Sequence, residues 1–390
     1  MNKKISLGLA LSLIAIAVAV TFILTSFFSL QSFNKKVVDV NDKARRYDSL
    51  ESLDTFVRDN YFGEIDERDL SDGILKGYVD GLDDKYSRYL TEEEYINEMS
   101  EEAGQLVGLG LTLSEDESGY VRIDGILQDS PLYNSGLQEG DIITFVDGVD
   151  VLQAGFDDSV EAMRGAEGSQ IVLTVRRDGV DTDYTFTRQA IEVTTVTGEM
   201  LDGFVGYMKI TKFKQNTPQQ FIDTLEPLTA NGAKSIVFDL RDNTGGLVSA
   251  LEECLDPLLP EGVIATAEYK DGHTETIVYS DETELDLPMV VLVNGNTASA
   301  AELFAASLRD YGKAQLVGVK TYGKGVMQST TEMGNGGAVV LTIAEYKTSR
   351  SDCYDGEGLT PDYQVENEDE NYDAQLATAS QLARTAESGE

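Results

Sequence analysis

The feature that most limits how this chain can fold is a five-residue apolar run, Met289–Val293. It passes through an Asn-Gly-Asn-Thr turn straight into a small-residue helical pattern that ends at Gly312. A strand that feeds a helix without a hairpin is half of a βαβ unit, and a second such start lies at residues 235–240, ahead of Gly245 and Gly246. An α/β core with βαβ units around Phe238 and Leu292 is therefore expected. Ser299 falls at the strand-to-helix corner. The first turn of a helix offers unpaired N–H groups and the positive end of a dipole, both suited to a developing oxyanion. Downstream, Lys324 stands between Gly323 and Gly325. A lysine whose charge is poorly solvated can lose its proton and act as a general base. Together the two suggest a Ser/Lys hydrolase. Taken singly, each has an ordinary reading, Ser299 as a helix cap and Lys324 as a surface charge.

Counting narrows the alternatives. A Ser-His-Asp arrangement needs a histidine, and the sole one is His273, after an Asp271-Gly272 pair that reads as a turn between exposed strands. Residues 318–324 fit the start of a phosphate loop, yet Gly325 stands where a Ser/Thr must hold magnesium, and a strand pattern follows instead of a helix. Nucleotide binding is not expected. Asp310 lies eleven residues after Ser299, about 16 Å along a helix. It is too far to serve as a third catalytic group and reads as a helix C-terminal carboxylate.

Several dispersed blocks carry a resemblance. Thr297-Ala-Ser299-Ala-Ala-Glu302, Thr321-Tyr-Gly-Lys324-Gly325, Asp239-Leu-Arg-Asp-Asn243-Thr-Gly245-Gly246, residues 342–349, 356–362 and 78–95 all match patterns of one family. The region from about residue 202 to 365 resembles the core of the carboxy-terminal processing proteases, tail-specific serine peptidases with a Ser/Lys dyad. Ser299 stands at the nucleophile position and Lys324, 25 residues on, at that of the base; Gln328 matches the glutamine that orients the lysine. Thr244 replaces a proline and Ala301 a common serine, neither with loss of a catalytic group. The resemblance implies a crotonase-like core of ββα and βαβ units, with backbone N–H groups of Gly246 and Ala300 as the candidate oxyanion hole. Read alone, Gly245 and Gly246 are a tight βα turn, which is compatible with that role.

A second module precedes this core. Residues 106–151 resemble a PDZ domain, with Gly108-Leu109-Gly110-Leu111 at the carboxylate-binding loop and a Gly-Leu-x-x-Gly-Asp segment at 136–141. Consecutive N–H groups of a Gly-rich loop can capture a chain-terminal carboxylate while the peptide adds to a sheet edge. Leu109 and Leu111 would line a pocket for an apolar last side chain.

At the N-terminus Lys3 and Lys4 precede 26 uncharged residues, 5–30. That run exceeds the roughly 20 needed to span a bilayer and outlasts a signal-peptide core. An uncleaved membrane anchor with the rest of the chain outside the cytoplasm is expected. Acidic residues number 69 against 30 basic, a net charge of −39, and no basic stripe offsets it. Nucleic acid is an unsuitable partner for such a chain. Cys254 and Cys353, the only cysteines, could pair or stay free, and no cluster has metal-ligand spacing. Neither a metal nor a cofactor is expected. The domains read as an anchor (1–34), a helical N-terminal region (35–103), an inserted small β-rich PDZ domain (104–190), the serine protease core (191–365) and an acidic tail with a short helix (366–390). The expected partners are protein or peptide substrates with apolar C-termini. A PDZ scaffold with an inactive core is the alternative; an enoyl-hydratase-like acyl enzyme lacks a coenzyme site and leaves the PDZ module without a purpose. Oligomeric state has no signal in the sequence.

Overall fold

Ser235–Asp239 and Met289–Val293 are buried along their whole length, which requires a sheet covered on both faces. The computed structural model, which describes residues 21, 25, 45, 47–127, 130–165, 167–369 and 371–388, puts them at the centre of six strands. Their order is Val196–Leu201, Val205–Ile210, Ser235–Asp239, Met289–Val293, Ala314–Gly318 and Tyr363–Gln364. The first pair is antiparallel and every later pair parallel. The carboxyl ends of the parallel strands point one way, and both chemistry-bearing loops leave from that edge.

Helices Thr217–Ala230, Val248–Leu255 and Ala300–Asp310 cover one face. Phe304, on the helix that follows Ser299, packs edge-on to Phe238 with ring centres 5.3 Å apart and lies 5.8 Å from Phe213. The other face is covered by helix Ala374–Ser388, whose Ala379 and Ala383 lie against Val205, Val237, Val290, Leu292 and Val317. Two alanines four residues apart share one face of a helix and let it approach the sheet closely. The segment read from sequence as an acidic tail with a short helix thus supplies the second layer of the core.

A second, antiparallel sheet is built on the long strand Ala338–Thr348. It pairs with Arg88–Leu90, Gly262–Tyr269 and Val326–Glu332, and Thr274–Ser280 extends it as a hairpin. His273 sits at the tip of that hairpin, half-exposed, its ring stacked on Tyr269 at 4.4 Å. Thr348 Oγ1 donates to the Asp310 carboxylate at 2.5 Å, so Asp310 ends its helix by holding this sheet.

Between helix Glu92–Glu102 and strand Val196–Leu201 the chain makes a separate β-rich module. Strands Gln105–Gly108 and Gln189–Glu192 pair as a stem. Within it, Leu111–Glu115, Val121–Ile126, Ile142–Val146, Gln170–Arg177 and Val180–Thr187 form an antiparallel sheet in that order around a core of Ile123, Ile143, Ile171 and Leu173. The described residues up to Ser71 group apart from the rest and are helical over 47–60; Arg58 in that helix bonds both Asp54 and Glu67. Among the described residues no helix is long and apolar enough to cross a membrane. The apolar run 5–30 lies outside them, apart from residues 21 and 25. Both cysteines are free thiols: Cys254 buried in the apolar helix Val248–Leu255, Cys353 part-exposed in a loop.

Removing the Phe304 ring should leave a cavity touching two other aromatic rings. Phe304→Ala is expected to cost about 3–5 kcal/mol, read as a fall in the urea midpoint at constant slope. The Cys254→Ala, Cys353→Ala double variant should stay folded under reducing and oxidising conditions alike, and collapse under oxidising conditions only would show a needed disulfide.

Candidate active site

The turn before helix Ala300–Asp310 holds Ser299 at φ +58° and ψ −124°, a left-handed conformation that a serine adopts only when its surroundings impose it. Three contacts impose it. Ala298 N donates to Asn243 O at 3.0 Å, Thr297 Oγ1 donates to Leu240 O at 2.8 Å, and Ser299 N donates to Glu302 Oε2 at 2.9 Å. The result is a serine hydroxyl raised above the end of a strand at the mouth of a cleft of about 930 Å³.

Glu302 binds the rest of the site together. Its side chain is fully buried, and its two oxygens also accept from Thr321 Oγ1 at 2.5 Å, Gly323 N at 2.8 Å and Lys324 N at 2.8 Å. One carboxylate therefore grips the backbone of the serine turn and the backbone of the lysine loop. Burial pushes this carboxyl above its ordinary value, while the four donors act the other way. Behind it Tyr346, also buried, donates to Lys324 O at 2.8 Å, with Ser299 Oγ 3.5 Å from the same hydroxyl.

Lys324 enters the cleft from this loop. Burial pushes its amine below the ordinary lysine value, and the positive charges of Arg88 and Lys212 push it further down, against Asp355 and Asp84. Its Nζ stands 4.6 Å from the centre of the Tyr86 ring. Ser299 and Lys324 thus line one cleft without a direct hydrogen bond between them, the amine resting on the ring. Gln328 lines the cleft as well, and its amide donates to Thr342 Oγ1 at 3.2 Å, not to the lysine.

The glycine pair packs directly against the serine turn. Gly245 has φ +97°, and a Cβ there would come within 2.8 Å of Ala298 O and of Ser299 Cβ. Gly246 has φ +142°, and a Cβ there would overlap the Phe213 carbonyl. Only glycine fits either position. Gly246 lines the cleft beside Ser299, and Ala300 N, at the first position of its helix, has no carbonyl a turn earlier to bond. The loop is anchored at its root: Asn243 Nδ2 donates to Ile210 O and its Oδ1 accepts from Gly245 N, at 2.9 and 2.8 Å. Asp242, at φ +65°, is held by Asn294 and Asn296.

In the β-rich module, Leu111–Glu115 is the edge strand of its sheet. Gly110, at φ +63°, makes the bend before it. Leu109 is 3% exposed and belongs to the module's core, whereas Leu111 is half-buried at the edge. Glu161, on the module's helix Phe156–Ala162, lines the cleft that holds Ser299, and Arg164 pairs with Glu101 at 3.5 Å across the same region. The module thus contributes a carboxylate to the cleft's lining.

Residues 204–365 match Peptidase family S41, and residues 122–177 match a PDZ domain. The carboxy-terminal processing protease CtpA of Bacillus subtilis (strain 168) is 31% identical over 353 residues, covering 90% of this chain and 75% of that protein. The chain belongs to peptidase family S41. This S41 peptidase is also 34% identical to the carboxyl-terminal-processing protease of Synechocystis over 73% of this chain and 68% of that one. Among solved structures, the photosystem II D1 C-terminal processing protease shares its fold, with a TM-score of 0.51 over 86% of this chain and 90% of that one at 24% identity. The chain is a serine-type peptidase with a PDZ domain.

Of the residues singled out in the sequence, Ser299, Lys324, Gln328 and Gly246 line one cleft, whereas Ala300 is buried at the start of the helix that follows Ser299. Sequence reading gave no role to Glu302, Tyr346, Tyr86 or Lys212. A signal for Glu302 was present, since an acid three residues after a helix-start serine is the capping-box spacing. The tyrosines come from distant strands and no local pattern marks them. Because Glu302 accepts from four donors, Glu302→Gln would turn an amide N–H₂ towards N–H groups. Turnover is expected to fall at least about 10²-fold, with a lower melting temperature, measured by peptide cleavage and thermal denaturation. Undiminished turnover would show that the carboxylate does not set the site's geometry.

Proposed function

We propose that this S41 peptidase is a membrane-anchored, extracytoplasmic endopeptidase that takes proteins by apolar C-termini and cleaves them with a Ser299–Lys324 dyad on a crotonase-like core. The observation that carries this reading is the single Glu302 carboxylate fixing the serine turn and the lysine loop as two walls of one cleft. In the proposed reaction neutral Lys324, turned off the Tyr86 ring, takes the hydroxyl proton as Ser299 Oγ forms a bond to the peptide carbonyl carbon. The carbonyl electron pair moves onto oxygen, facing the N–H groups of Gly246 and Ala300. When the tetrahedral species collapses, the C–N bond breaks and Lys324 returns the proton to the leaving amine. Water then releases the acyl chain by the same steps in reverse, with Gln328 orienting the lysine without adding charge.

The apolar run 5–30 supports the anchor, with Lys3 and Lys4 on the cytoplasmic side. The open edge of Leu111–Glu115 supports capture of an extended peptide, with Gly108 to Leu111 receiving its terminal carboxylate. An inactive PDZ scaffold is the reading to be tested against.

Cleavage of an apolar-ended peptide should vanish in Ser299→Ala, Lys324→Ala and Lys324→Arg, because a guanidinium does not shed its proton. Gln328→Ala should impair less and His273→Ala hardly at all. The base acts in its neutral form and its proton affinity is lowered. kcat/KM should therefore rise with pH through a midpoint below the ordinary lysine value of about 10.4 and then level off. A folded, active Lys324→Ala enzyme would remove the dyad, and no cleavage by the wild-type chain would favour the scaffold. Separately, full-length Ser299→Ala should bind peptides ending in Ala, Val or Leu more tightly as free acids than as amides; equal binding would remove the proposed carboxylate capture.

A further inference from the structure

Residues 211–213 run beside the glycine pair. Phe213 N donates to Gly245 O at 3.0 Å, Leu247 N donates to Phe213 O at 2.8 Å, and Phe213 is bridged in parallel to Gly246. This fixes the backbone of Lys212 next to the proposed oxyanion donor. Its side chain follows the same course, with Nζ donating to Thr244 Oγ1. Lys212 is half-buried and lines the cleft shared by Ser299, Lys324 and Gly246. Thr244 stands where the family pattern has a proline, and a proline side chain offers no acceptor. The contact depends on this departure from the pattern.

We propose that Lys212 is a positioning residue for both halves of the reaction centre: through Thr244 it holds the glycine loop against Ser299, and across the cleft its charge favours the neutral, proton-accepting form of Lys324. The inference rests on the Ser299–Lys324 reading above. Two ammonium groups in one half-buried cleft resist being protonated together, which is one way a lysine becomes a base near neutral pH.

The groups facing each amine are on the page. Burial lowers Lys324 most, then Arg88 and Lys212; Asp355 and Asp84 oppose them, and the Tyr86 ring holds the amine. Burial and Lys214 lower Lys212, while Glu101 raises it. Arg88 is already paired with Glu98 at 2.6 Å and Glu101 with Arg164 at 3.5 Å, so part of each of those charges is answered elsewhere. Glu94, Glu102 and Glu161 also line the cleft. The Lys212 amine, by contrast, bonds a neutral hydroxyl and keeps its field on the cleft.

The test compares kcat/KM across pH for the full chain and four variants. Lys212→Gln keeps a donor for Thr244 but no charge, and should move the acid limb to higher pH by about half a unit or more. Lys212→Arg restores the charge and should keep the wild-type limb. Thr244→Val keeps the charge, so its limb should stay in place while kcat falls several-fold. Lys324→Ala separates the two readings. If it is inactive and Lys212→Gln titrates at the wild-type midpoint, the role of Lys212 is overturned and the dyad stands. If Lys324→Ala remains active, the dyad itself fails.

Discussion

Glu302 is fully buried and ionisable, and a carboxylate in that position is costly unless its oxygens are answered. Here they are answered by four donors from two loops, Ser299 N on one side and Thr321, Gly323 and Lys324 on the other. The arrangement makes the two loops mutually dependent. If the lysine loop drifts, a buried charge loses partners; if the serine turn relaxes, the same charge suffers. A helix-start acid that would ordinarily cap only its own helix has been turned into a cross-link between the parallel sheet, which ends in Ser299, and the antiparallel sheet, whose strand Val326–Glu332 begins just past Lys324. Precision at the reacting atoms thus comes from one electrostatic debt shared by two elements that are otherwise far apart in sequence.

The strand-turn-helix around Ser299 and the glycine pair after Ser235–Asp239 were legible because their signals are local. Apolar runs, turn residues and small-residue helix faces each act over a few positions, and the structure has them where the periodicity puts them. Helix Ala374–Ser388 shows the opposite case. Its alanines predict a helix but not a partner, and what they cover, Val237 and Leu292 on central strands, is set by topology. The same holds inside the cleft. Tyr86 precedes Arg88–Leu90 and Tyr346 lies within Ala338–Thr348, and they reach Lys324 only because those strands pair in one sheet. Where a residue's role is to touch something more than 20 positions away, single-sequence patterns carry its chemistry but not its address.

Composition also takes on a spatial meaning. The chain is acidic by 39 charges, yet Arg88, Lys212, Lys214 and Lys324 gather at the cleft. Cations collected in a half-buried space lower one another's proton affinity and attract negative charge as it develops. The same cleft is lined by Glu94, Glu98, Glu101 and Glu102 from helix Glu92–Glu102 and Glu161 from the PDZ domain, with Glu98 paired to Arg88 at 2.6 Å.

The backbone strain at this edge of the sheet is matched on both sides of the contact. Ser299 at φ +58° and Asp242 at φ +65° are non-glycine residues in the left-handed region, and each such residue costs about 1–3 kcal/mol and persists because its surroundings hold it there. They face each other through bonds that tie one strained loop to the other: Ala298 N to Asn243 O, and Asn294 and Asn296 to Asp242. Neither loop could relax alone without breaking these. Below them the Phe213, Phe238 and Phe304 rings join the three elements that lead into the site. On the far face Arg241 grips Asp239 with Nε and Nη2 and reaches Asp373 and Gln375 with Nη1, at 2.9 and 3.2 Å. The root of the glycine loop is thereby tied to the start of the last helix in the chain. The apolar core and this ionic clip fix the strands from which the two strained turns leave.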